Sequence, residues 1–548
     1  MNRQLRTHLL LLLGLGLVYI ATGIGLRDPW PSDEPRFALI AKDMVESGEW
    51  FFPRRGGELY PDKPPLFMWA QAIFYQLTGS LRIAALLPSL LAGLAVLVLI
   101  YDMGRRLWNP RVGLAAGLLL LVAPQFVLEA RAGQLDAMVT AWIALGMYGF
   151  LRHLLLGPDR RWLLVGFAAC GFGIITKGVG FLPLLVFLPF LFYRRRAPDH
   201  VAGGTGARDA LTGVLVMLAA IGLWLIPMLL LVSGADDPAY AAYRDNILFK
   251  QTGERYVAPS HHFKPWWYFL VEVIPALWLP IFLLLPWLVP NWFRAIREND
   301  GRIILLLGFV ALTVLFFTLS PAKRGVYILP ALPWCALAAA PWLEEILARR
   351  AVQRIGFIVS GVLGLTALAG AAFLTWFDPA YAQTLTERYA FDPTAALWLF
   401  FAGISLAIIV GILRRSGPLA YAATIGSLWI VLGLWVYPRL DAFKSGRALL
   451  ERAESELATG QPLALVDWKE QTLLQAQRPA VNFGFLVPAE EQSRRAVAWL
   501  RQHPNGRILI RDRSLSPCFN RGEPVDLGTA HRRDWYLVGP DNINPDCG

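Results

Sequence analysis

Two adjacent carboxylates, Asp33 and Glu34, follow the first long apolar run of the chain and stand in a proline-rich segment. Ionisable residues at the edge of a membrane span are rare and usually serve a function. A helix N-cap followed by a first-turn acid would account for one of these two residues, but not for both. We therefore interpret the pair as catalytic carboxylates that could orient or deprotonate an acceptor.

Asp136 lies within another apolar run, with Gln134 two positions and Arg131 five positions before it. An acid in such a run must face other protein groups or a water-filled cavity. Two compatible interpretations stay open. Asp136 either pairs with Arg131 or a base of another span, or it is the second acid of an active site.

Basic residues occupy positions where membrane proteins usually avoid them. Lys177 stands in one tight turn, and Lys323 and Arg324 share another, close to Tyr327; Arg255 belongs to a longer loop at 244–264. A bound anion would explain these bases, because arginine makes bidentate contacts to phosphate and lysine supplies a point charge. The alternative is that the long side chains extend towards lipid head groups.

The composition of the 548-residue chain shows which kind of protein carries these residues. Hydrophobic residues make up 56% of it and charged residues only 17%, against about 25% in ordinary globular proteins. This balance excludes a disordered chain, a coiled coil and a soluble multidomain enzyme. The net charge of +11 lies in small clusters beside apolar runs, and we therefore predict no nucleic-acid partner.

Thirteen apolar runs are predicted to cross the membrane. They are 8–26, 83–101, 112–128, 132–151, 162–176, 178–193, 210–233, 265–293, 303–319, 326–343, 355–377, 393–413 and 418–436. A further apolar segment, 64–80, is assigned to a re-entrant or interfacial helix. Counting it as a span would place the cluster at 105–111 and all later arginine clusters outside the cell.

The arginine clusters of the short loops set the orientation, because cytoplasmic loops carry the excess of positive charge. With thirteen spans, seven clusters fall on one side, at 3–6, 105–111, 152–161, 194–208, 294–302, 349–354 and 414–415. The N-terminus is then cytoplasmic and the C-terminus lies outside. Three sizeable outer segments result, namely 27–64, 234–264 and the tail 438–548.

The sequence therefore predicts a transmembrane domain at 1–437 and an outer α/β domain at 438–548. In the tail, 441–458 and 488–503 favour helices, and 463–468, 507–511 and 535–539 favour strands. Residues 36–47 form an amphipathic pattern suited to the membrane interface. Cys518 and Cys547 are expected to form a disulfide, whereas Cys170 and Cys335 are expected in the core.

An outer active site has no access to cytoplasmic nucleotides, and the sequence carries neither a Walker loop nor a Rossmann fingerprint. A transferase at this face needs a donor that already resides in the membrane, and a polyprenyl-phosphate sugar meets that need. The rival class is a lipid-linked sugar flippase or transporter. It would need ionisable groups along a midplane path, where only Asp136 is available.

Five features together resemble the GT-C membrane glycosyltransferases. They are Asp33-Glu34, the stretch Tyr60-Pro61-Asp62-Lys63-Pro64, Asp136, Thr176-Lys177-Gly178, and Lys323 followed by Tyr327-Ile328-Leu329-Pro330. Within this group the chain is most similar to the 4-amino-4-deoxy-L-arabinose lipid A transferases, relatives of the protein O-mannosyltransferases. The resemblance implies a multi-pass enzyme of the bacterial inner membrane, acting by inversion or retention.

The resemblance also implies roles for individual residues. Asp33 would be the main catalytic carboxylate, with Glu34 beside it and Asp136 as the second acid. The donor phosphate or the rest of the substrate would contact a larger set: Tyr60, Asp62, Lys63, Lys177, Arg255, Lys323, Arg324 and Tyr327. The family commonly has glutamate at the position of Asp62, whose shorter side chain weakens any direct ligand role.

The same resemblance implies an undecaprenyl-phosphate-linked sugar donor, a lipid A acceptor and contact with membrane lipid. No organic cofactor is expected, and a divalent metal stays open. The acceptor is the least specified of these inferences. A related transferase acting on another glycan or on a protein is the alternative within the enzyme class.

Overall fold

The structure is a computed structural model that describes residues 3–196, 206–249, 263–389, 391–531 and 533–547. In its first half the α-helices are α1 (Arg3–Gly16), α2 (Glu34–Ser47), α3 (Leu66–Thr78), α4 (Leu81–Ala84), α5 (Leu87–Leu107), α6 (Pro110–Leu121), α7 (Pro124–Ala130), α8 (Leu135–Leu155), α9 (Arg160–Ile174), α10 (Phe187–Arg196), α11 (Ala207–Ser233) and α12 (Pro238–Asp245). In its second half they are α13 (Ile274–Leu277), α14 (Ile281–Arg297), α15 (Gly301–Leu319), α16 (Leu332–Ala339), α17 (Leu343–Ala348), α18 (Arg350–Ala372), α19 (Pro379–Tyr389), α20 (Pro393–Leu413), α21 (Gly417–Val431), α22 (Tyr437–Ser445), α23 (Arg447–Ser455), α24 (Glu470–Gln475) and α25 (Ala489–Gln502). Segments of 3-10 or π-helix extend several of them, at 17–21, 178–186, 269–273, 325–331, 373–377 and 432–436.

Ten helices in the described ranges are long and apolar enough to cross a membrane. Two further pairs, α6 with α7 and 269–277 with α14, pass the same test together but bend by 73° and 109°. The predicted helical membrane fold is thus confirmed with ten to twelve spans. The predicted run 162–176 forms α9, a helix of only 15 residues. It nevertheless connects the Arg152–Asp159 end of α8 with the Lys177–Asp136 end, as the corresponding one of the thirteen predicted spans requires.

Segment 64–80, predicted to be re-entrant or interfacial, contains α3. This helix has 13 residues and extends about 20 Å, too short to span a bilayer. Gly79 ends it in a left-handed conformation, with φ of 65°.

Three of the regions that carry arginine clusters, those near 105–111, 152–161 and 294–302, lie together. Asp102 accepts hydrogen bonds from Arg105, Arg106 and Tyr148, and Arg302 donates to the Leu107 carbonyl at 3.0 Å. These contacts join the ends of α5, α8 and α15. Asp136 lies at the opposite end of α8 from them, so the arginine loops and the predicted site are at opposite ends of the helices.

The tail contains a five-stranded sheet formed by β3 (Leu463–Leu465), β4 (Ala480–Asn482), β5 (Arg507–Arg511), β6 (Val525–Ala530) and β7 (Arg533–Val538), in the order β4-β3-β5-β7-β6. Strand β3 is parallel to β4 and β5, whereas β7 is antiparallel to β5 and β6. The predicted strand 463–468 is shorter than expected. Strands β4 and β6 were not predicted, because β4 is short and β6 carries Asp526, Gly528 and an irregular register.

The predicted tail helix 441–458 is divided into α22 and α23. Gly446 separates them with φ of 79°, a left-handed conformation that a side chain would disfavour. The predicted pair Cys518 and Cys547 forms a disulfide, with the two Cα atoms 5.1 Å apart. Cys170 and Cys335 are free and buried, as expected.

Helix α2 is covered on both faces. One face joins a hydrophobic cluster with α3, and the other shares a cluster with the tail through Ala38 and Leu39. The helix predicted over 36–47 is confirmed as α2, and its apolar residues pack against other parts of the protein. The tail packs on α2, and this contact brings Glu470 of the tail next to Arg36 of α2. The same first loop contains a small hairpin, β1 (Arg54–Arg55) with β2 (Glu58–Leu59).

Candidate functional site

Asp33 stands immediately before α2 and is held between two arginines. Its Oδ1 accepts a hydrogen bond from Arg36 Nη1 at 3.3 Å, and its Oδ2 accepts one from Arg324 Nη2 at 3.2 Å. The side chain makes no capping bond to the backbone of α2. The helix-cap interpretation is therefore wrong for Asp33. Because its side chain is 17% exposed, the carboxylate is accessible to a ligand.

Glu34, the neighbouring acid, lies in a different environment. Arg27 donates to both of its oxygens, at 2.5 and 2.8 Å, and the backbone amides of Trp30 and Gly133 each donate at 2.8 Å. Four hydrogen bonds to one buried carboxylate saturate its acceptor capacity. This geometry favours a structural role for Glu34, in contrast to the sequence-based prediction that it acts beside Asp33.

Asp136 begins α8 and is paired with Lys177, whose Nζ lies 2.5 Å from its Oδ1. The ammonium of Lys177 also lies over the Tyr327 ring, 5.0 Å from the centroid. Of the two bases considered from the sequence, the partner is thus a base of another segment and not Arg131. Arg131 instead donates to the carbonyls of Tyr19 and Thr22.

Lys323 and Arg324 are adjacent, but their side chains have different partners. Arg324 reaches Asp33 and also lies within electrostatic range of Asp136. Lys323 is buried and donates to the carbonyls of Lys264 and Ser320, at 3.1 and 2.6 Å. One of these carbonyls lies in its own turn and the other in the segment that begins at 263, so the Lys323 ammonium is occupied there and Arg324 is the base of this pair that faces the acids.

The remaining predicted residues of the first loop lie between the β-hairpin and α3. Tyr60 is buried beneath Arg55, whose guanidinium carbon is 5.3 Å from the ring centroid. Burial raises the pKa of the Tyr60 hydroxyl, although nearby Arg36 acts in the opposite direction. Asp62 and Lys63 follow in a partly buried turn, and both have electrostatic or hydrogen-bonded partners.

Glu129 is a site residue that the sequence reasoning missed. It lies in α7, and its Oε2 is buried with no hydrogen-bond partner among the described residues. Its electrostatic neighbours include Asp136, Lys177 and Arg324. An acid at the end of an apolar run was the available signal, and it is the same signal that identified Asp136.

Arg255 lies outside the described residues. Within the residues that the structure does describe, no group of three His, Cys, Asp or Glu side chains is placed to hold a metal ion. Both oxygens of Asp33 instead meet arginines. The described residues therefore give no fit for a metal at Asp33.

The site thus combines a partly exposed acid, Asp33, and a buried acid, Asp136, with two cations, Lys177 and Arg324. All four come from different segments of the chain and meet at one end of the membrane helices. Cations in such a poorly hydrated place can stabilise negative charge that develops on a phosphate, and a carboxylate can orient or deprotonate an acceptor. The arrangement is suited to group transfer from a phosphate-linked donor.

Comparisons with known proteins point to the same chemistry. A family model described as dolichyl-phosphate-mannose-protein mannosyltransferase matches residues 62–225. The undecaprenyl phosphate-alpha-4-amino-4-deoxy-L-arabinose arabinosyl transferase of Pseudomonas aeruginosa (strain UCBPP-PA14) is 28% identical over 94% of each chain. A second arabinosyl transferase of the same description, transferase 2 of Pseudomonas fluorescens Pf-5, is 30% identical over 78% of this chain and 70% of its own length.

A solved structure shares the fold. The crystal structure of ArnT from Cupriavidus metallidurans bound to undecaprenyl phosphate matches with a TM-score of 0.74 and 22% sequence identity. The match covers 98% of this chain and 99% of that one, so it includes both the membrane helices and the tail.

Proposed function

The chain belongs to the family of undecaprenyl phosphate-α-4-amino-4-deoxy-L-arabinose arabinosyl transferases, and on that premise we propose that it moves 4-amino-4-deoxy-L-arabinose from undecaprenyl phosphate to lipid A. The GT-C fold expected from the sequence agrees with the match to ArnT over nearly the whole chain. The donor in this proposal is the one named for the relatives that are 28% and 30% identical to this chain. The lipid A acceptor is taken from the family resemblance.

One observation carries the assignment to the site: an accessible carboxylate, Asp33, lies between Arg36 and Arg324 where the first loop meets the membrane helices. A carboxylate held by cations at a membrane edge can face a lipid-borne substrate. Arg324 also interacts electrostatically with Asp136, which is paired with Lys177, so this second ion pair belongs to the same charged site. We assign Asp33 as the main catalytic carboxylate and Asp136 as the second acid.

The reaction breaks the bond between C1 of the sugar and an oxygen of undecaprenyl phosphate, and forms a bond from C1 to a phosphate oxygen of lipid A. The departing phosphate takes the electron pair and gains negative charge, which Lys177 and Arg324 stabilise. Asp33 orients the acceptor phosphate and takes its proton where the acceptor is protonated.

Donor binding requires several cations, because a phosphate head group at the membrane edge prefers charge-assisted hydrogen bonds. We assign this role to Lys63, Arg255, Lys177 and Arg324. The engagement of Lys323 with two carbonyls makes it a support for its turn. Undecaprenyl phosphate should raise the melting temperature of the wild type, since a ligand that binds the native state stabilises it. Lys63→Ala and Arg255→Ala should each reduce that rise, and equal rises in all three proteins would contradict a shared phosphate site.

The protein is a multi-span membrane protein, and we place it in the bacterial inner membrane with a cytoplasmic N-terminus and a periplasmic tail. The arginine loops that meet around Asp102 are then cytoplasmic. The site at the other end of the helices faces the periplasm. There, adding a cationic amino sugar to lipid A would reduce its negative charge and weaken the attraction of cationic peptides such as polymyxin.

Mass spectrometry of lipid A from cells with and without the chain tests the proposed function. Cells that lack their own transferase should gain aminoarabinose-modified lipid A when they express the wild type, and should lack it when they express Asp33→Asn. Unmodified lipid A in the presence of well-expressed wild-type chain would contradict the acceptor. A lipid-linked donor that crosses the bilayer without any sugar transfer would favour the flippase class.

The orientation has its own test, which uses the disulfide. A membrane-impermeant thiol reagent should label Cys518 and Cys547 in spheroplasts only after reduction. The Cys518→Ser/Cys547→Ser variant is the matched control, because it retains only the buried Cys170 and Cys335. Labelling that requires disruption of the membrane would place the tail inside and reverse the topology.

A further inference from the structure

We propose that Glu470, in the C-terminal tail, is a positioning residue for sugar transfer, because it fixes Arg36 against the Asp33 carboxylate. The inference rests on the proposed function and extends it to the tail, which carries none of the predicted site residues. Its evidence is an unbroken series of ion pairs from the sheet region to the site.

The series runs through three contacts. Arg36 Nε donates to Glu470 Oε1 at 2.9 Å, and Arg36 Nη1 donates to Asp33 Oδ1 at 3.3 Å. On the other side, Arg55 Nη1 lies 3.5 Å from the same Glu470 oxygen. One guanidinium therefore bridges the tail and the catalytic carboxylate.

The two partners of this ion pair differ in how firmly they are held. Glu470 is 4% exposed and begins α24, which packs on α2, so the acid is fixed by the contact between the tail and the first loop. The Arg36 side chain is 25% exposed and flexible by nature, with many rotamers of similar energy. A fixed acid beside a flexible arginine determines where the arginine points.

The geometry explains why the position of Arg36 matters for transfer. The planar guanidinium of Arg36 directs Nε to Glu470 and Nη1 to Asp33. It therefore makes a single hydrogen bond to Asp33 and not a bidentate pair. Without Glu470, Arg36 keeps its neighbour Tyr60 but loses its contact to the tail, and its guanidinium can turn towards a closer, two-pronged pair with Asp33. That pair would occupy the carboxylate and displace it from the acceptor, and a misplacement of about 1 Å at a reacting group can cost roughly 10²-fold in rate.

The test measures kcat and KM with the full-length chain in proteoliposomes that contain lipid A and undecaprenyl-phosphate aminoarabinose. Glu470→Gln should lower kcat about 10–100-fold, with little change in KM for the donor, because Asp33 acts on the reacting group. Asp467→Asn is the matched control. Asp467 is also buried in the tail, where Arg511 and Arg513 pair with it.

A double-mutant cycle separates positioning from general support of the fold. If Glu470 acts through Arg36, Arg36→Gln/Glu470→Gln should have the same kcat as Arg36→Gln alone. Wild-type kcat in Glu470→Gln, additive losses in the double variant, or an equal loss in Asp467→Asn would each overturn the inference. Absence of transfer by the wild type would instead overturn the proposed function, and the inference with it.

Discussion

Asp33 and Glu34 are neighbours in sequence, yet the two regions that surround them differ in one respect, which is how completely each carboxylate is paired. The Glu34 region provides four donors, two from Arg27 and two from backbone amides, and leaves the side chain 6% exposed. The Asp33 region provides two arginines at longer distances and leaves the side chain 17% exposed.

The difference separates a structural acid from a functional one. A buried carboxylate with saturated partners stabilises its surroundings and has no capacity left for a substrate, whereas an acid with incomplete pairing can accept a new partner. Glu129, with a buried oxygen that has no partner within the described part of the chain, belongs with the Asp33 region by this criterion. The comparison predicts opposite effects of mutation in the two regions.

The largest effect on activity is expected from Asp33→Asn. Loss of a catalytic acid–base group removes about 10²–10⁴ in rate, whereas asparagine can still accept a hydrogen bond from one of the two arginines. Initial rates of transfer in proteoliposomes should fall by this factor, and the melting temperature in detergent should stay near that of the wild type. Near-wild-type transfer by a well-expressed variant would remove Asp33 from the catalytic role.

Glu34→Gln should show the reverse pattern, with the larger effect on stability. Removing one charge of a buried ion pair leaves Arg27 without its partner, at a cost of about 3–5 kcal/mol. Denaturant unfolding in detergent measures this loss. In the Arg27→Met/Glu34→Gln variant both charges are gone, and its loss should be smaller than the sum of the single losses. A stable Glu34→Gln protein without activity would instead move Glu34 into the catalytic set.

Lys177→Met should combine both patterns, because Lys177 is the cation of the buried Asp136 and both residues belong to the site. The variant leaves the Asp136 carboxylate without its cation, and we expect a loss of about 2 kcal/mol in stability together with slower transfer. Adding Asp136→Asn should restore part of the stability and none of the transfer rate. Recovery of both properties in the double variant would show that the pair is purely structural.

The smallest effect on stability is expected from Glu129→Gln. The buried Oε2 of Glu129 makes no hydrogen bond within the described residues, and a neutral amide is less costly to bury than a carboxylate. The free energy of unfolding should change by less than about 1 kcal/mol. A loss as large as that of Glu34→Gln would show that Glu129 is fully paired and would end its grouping with Asp33.

Several parts of the fold could be predicted from the sequence because they depend on local composition. Apolar runs of span length gave the membrane helices, since burial in lipid requires such runs. Strand 507–511 and the helix near 488–503 were predicted closely. The bends in 110–130 and 269–297 were not predicted, because they depend on the prolines at 124, 275 and 280 together with the packing of neighbouring helices.

The residues of the site could be predicted by type, but their partners could not. Acids and bases at the edges of apolar runs identified Asp33, Asp136, Lys177 and Arg324. No sequence pattern indicated that Arg324, not Lys323, reaches Asp33. Adjacent side chains in a tight turn diverge, and which one faces the site depends on how the turn packs against the first loop.

The sequence by itself determined that this chain is a membrane protein with charged residues gathered at the ends of its helices, because hydropathy and charge are properties of single positions. Only the tertiary structure decided how Asp33 and Glu34 differ, since Gly133 and Arg324 come from distant segments. Whether a carboxylate is saturated or open to a substrate depends on how many donors the fold brings within about 3 Å of its oxygens.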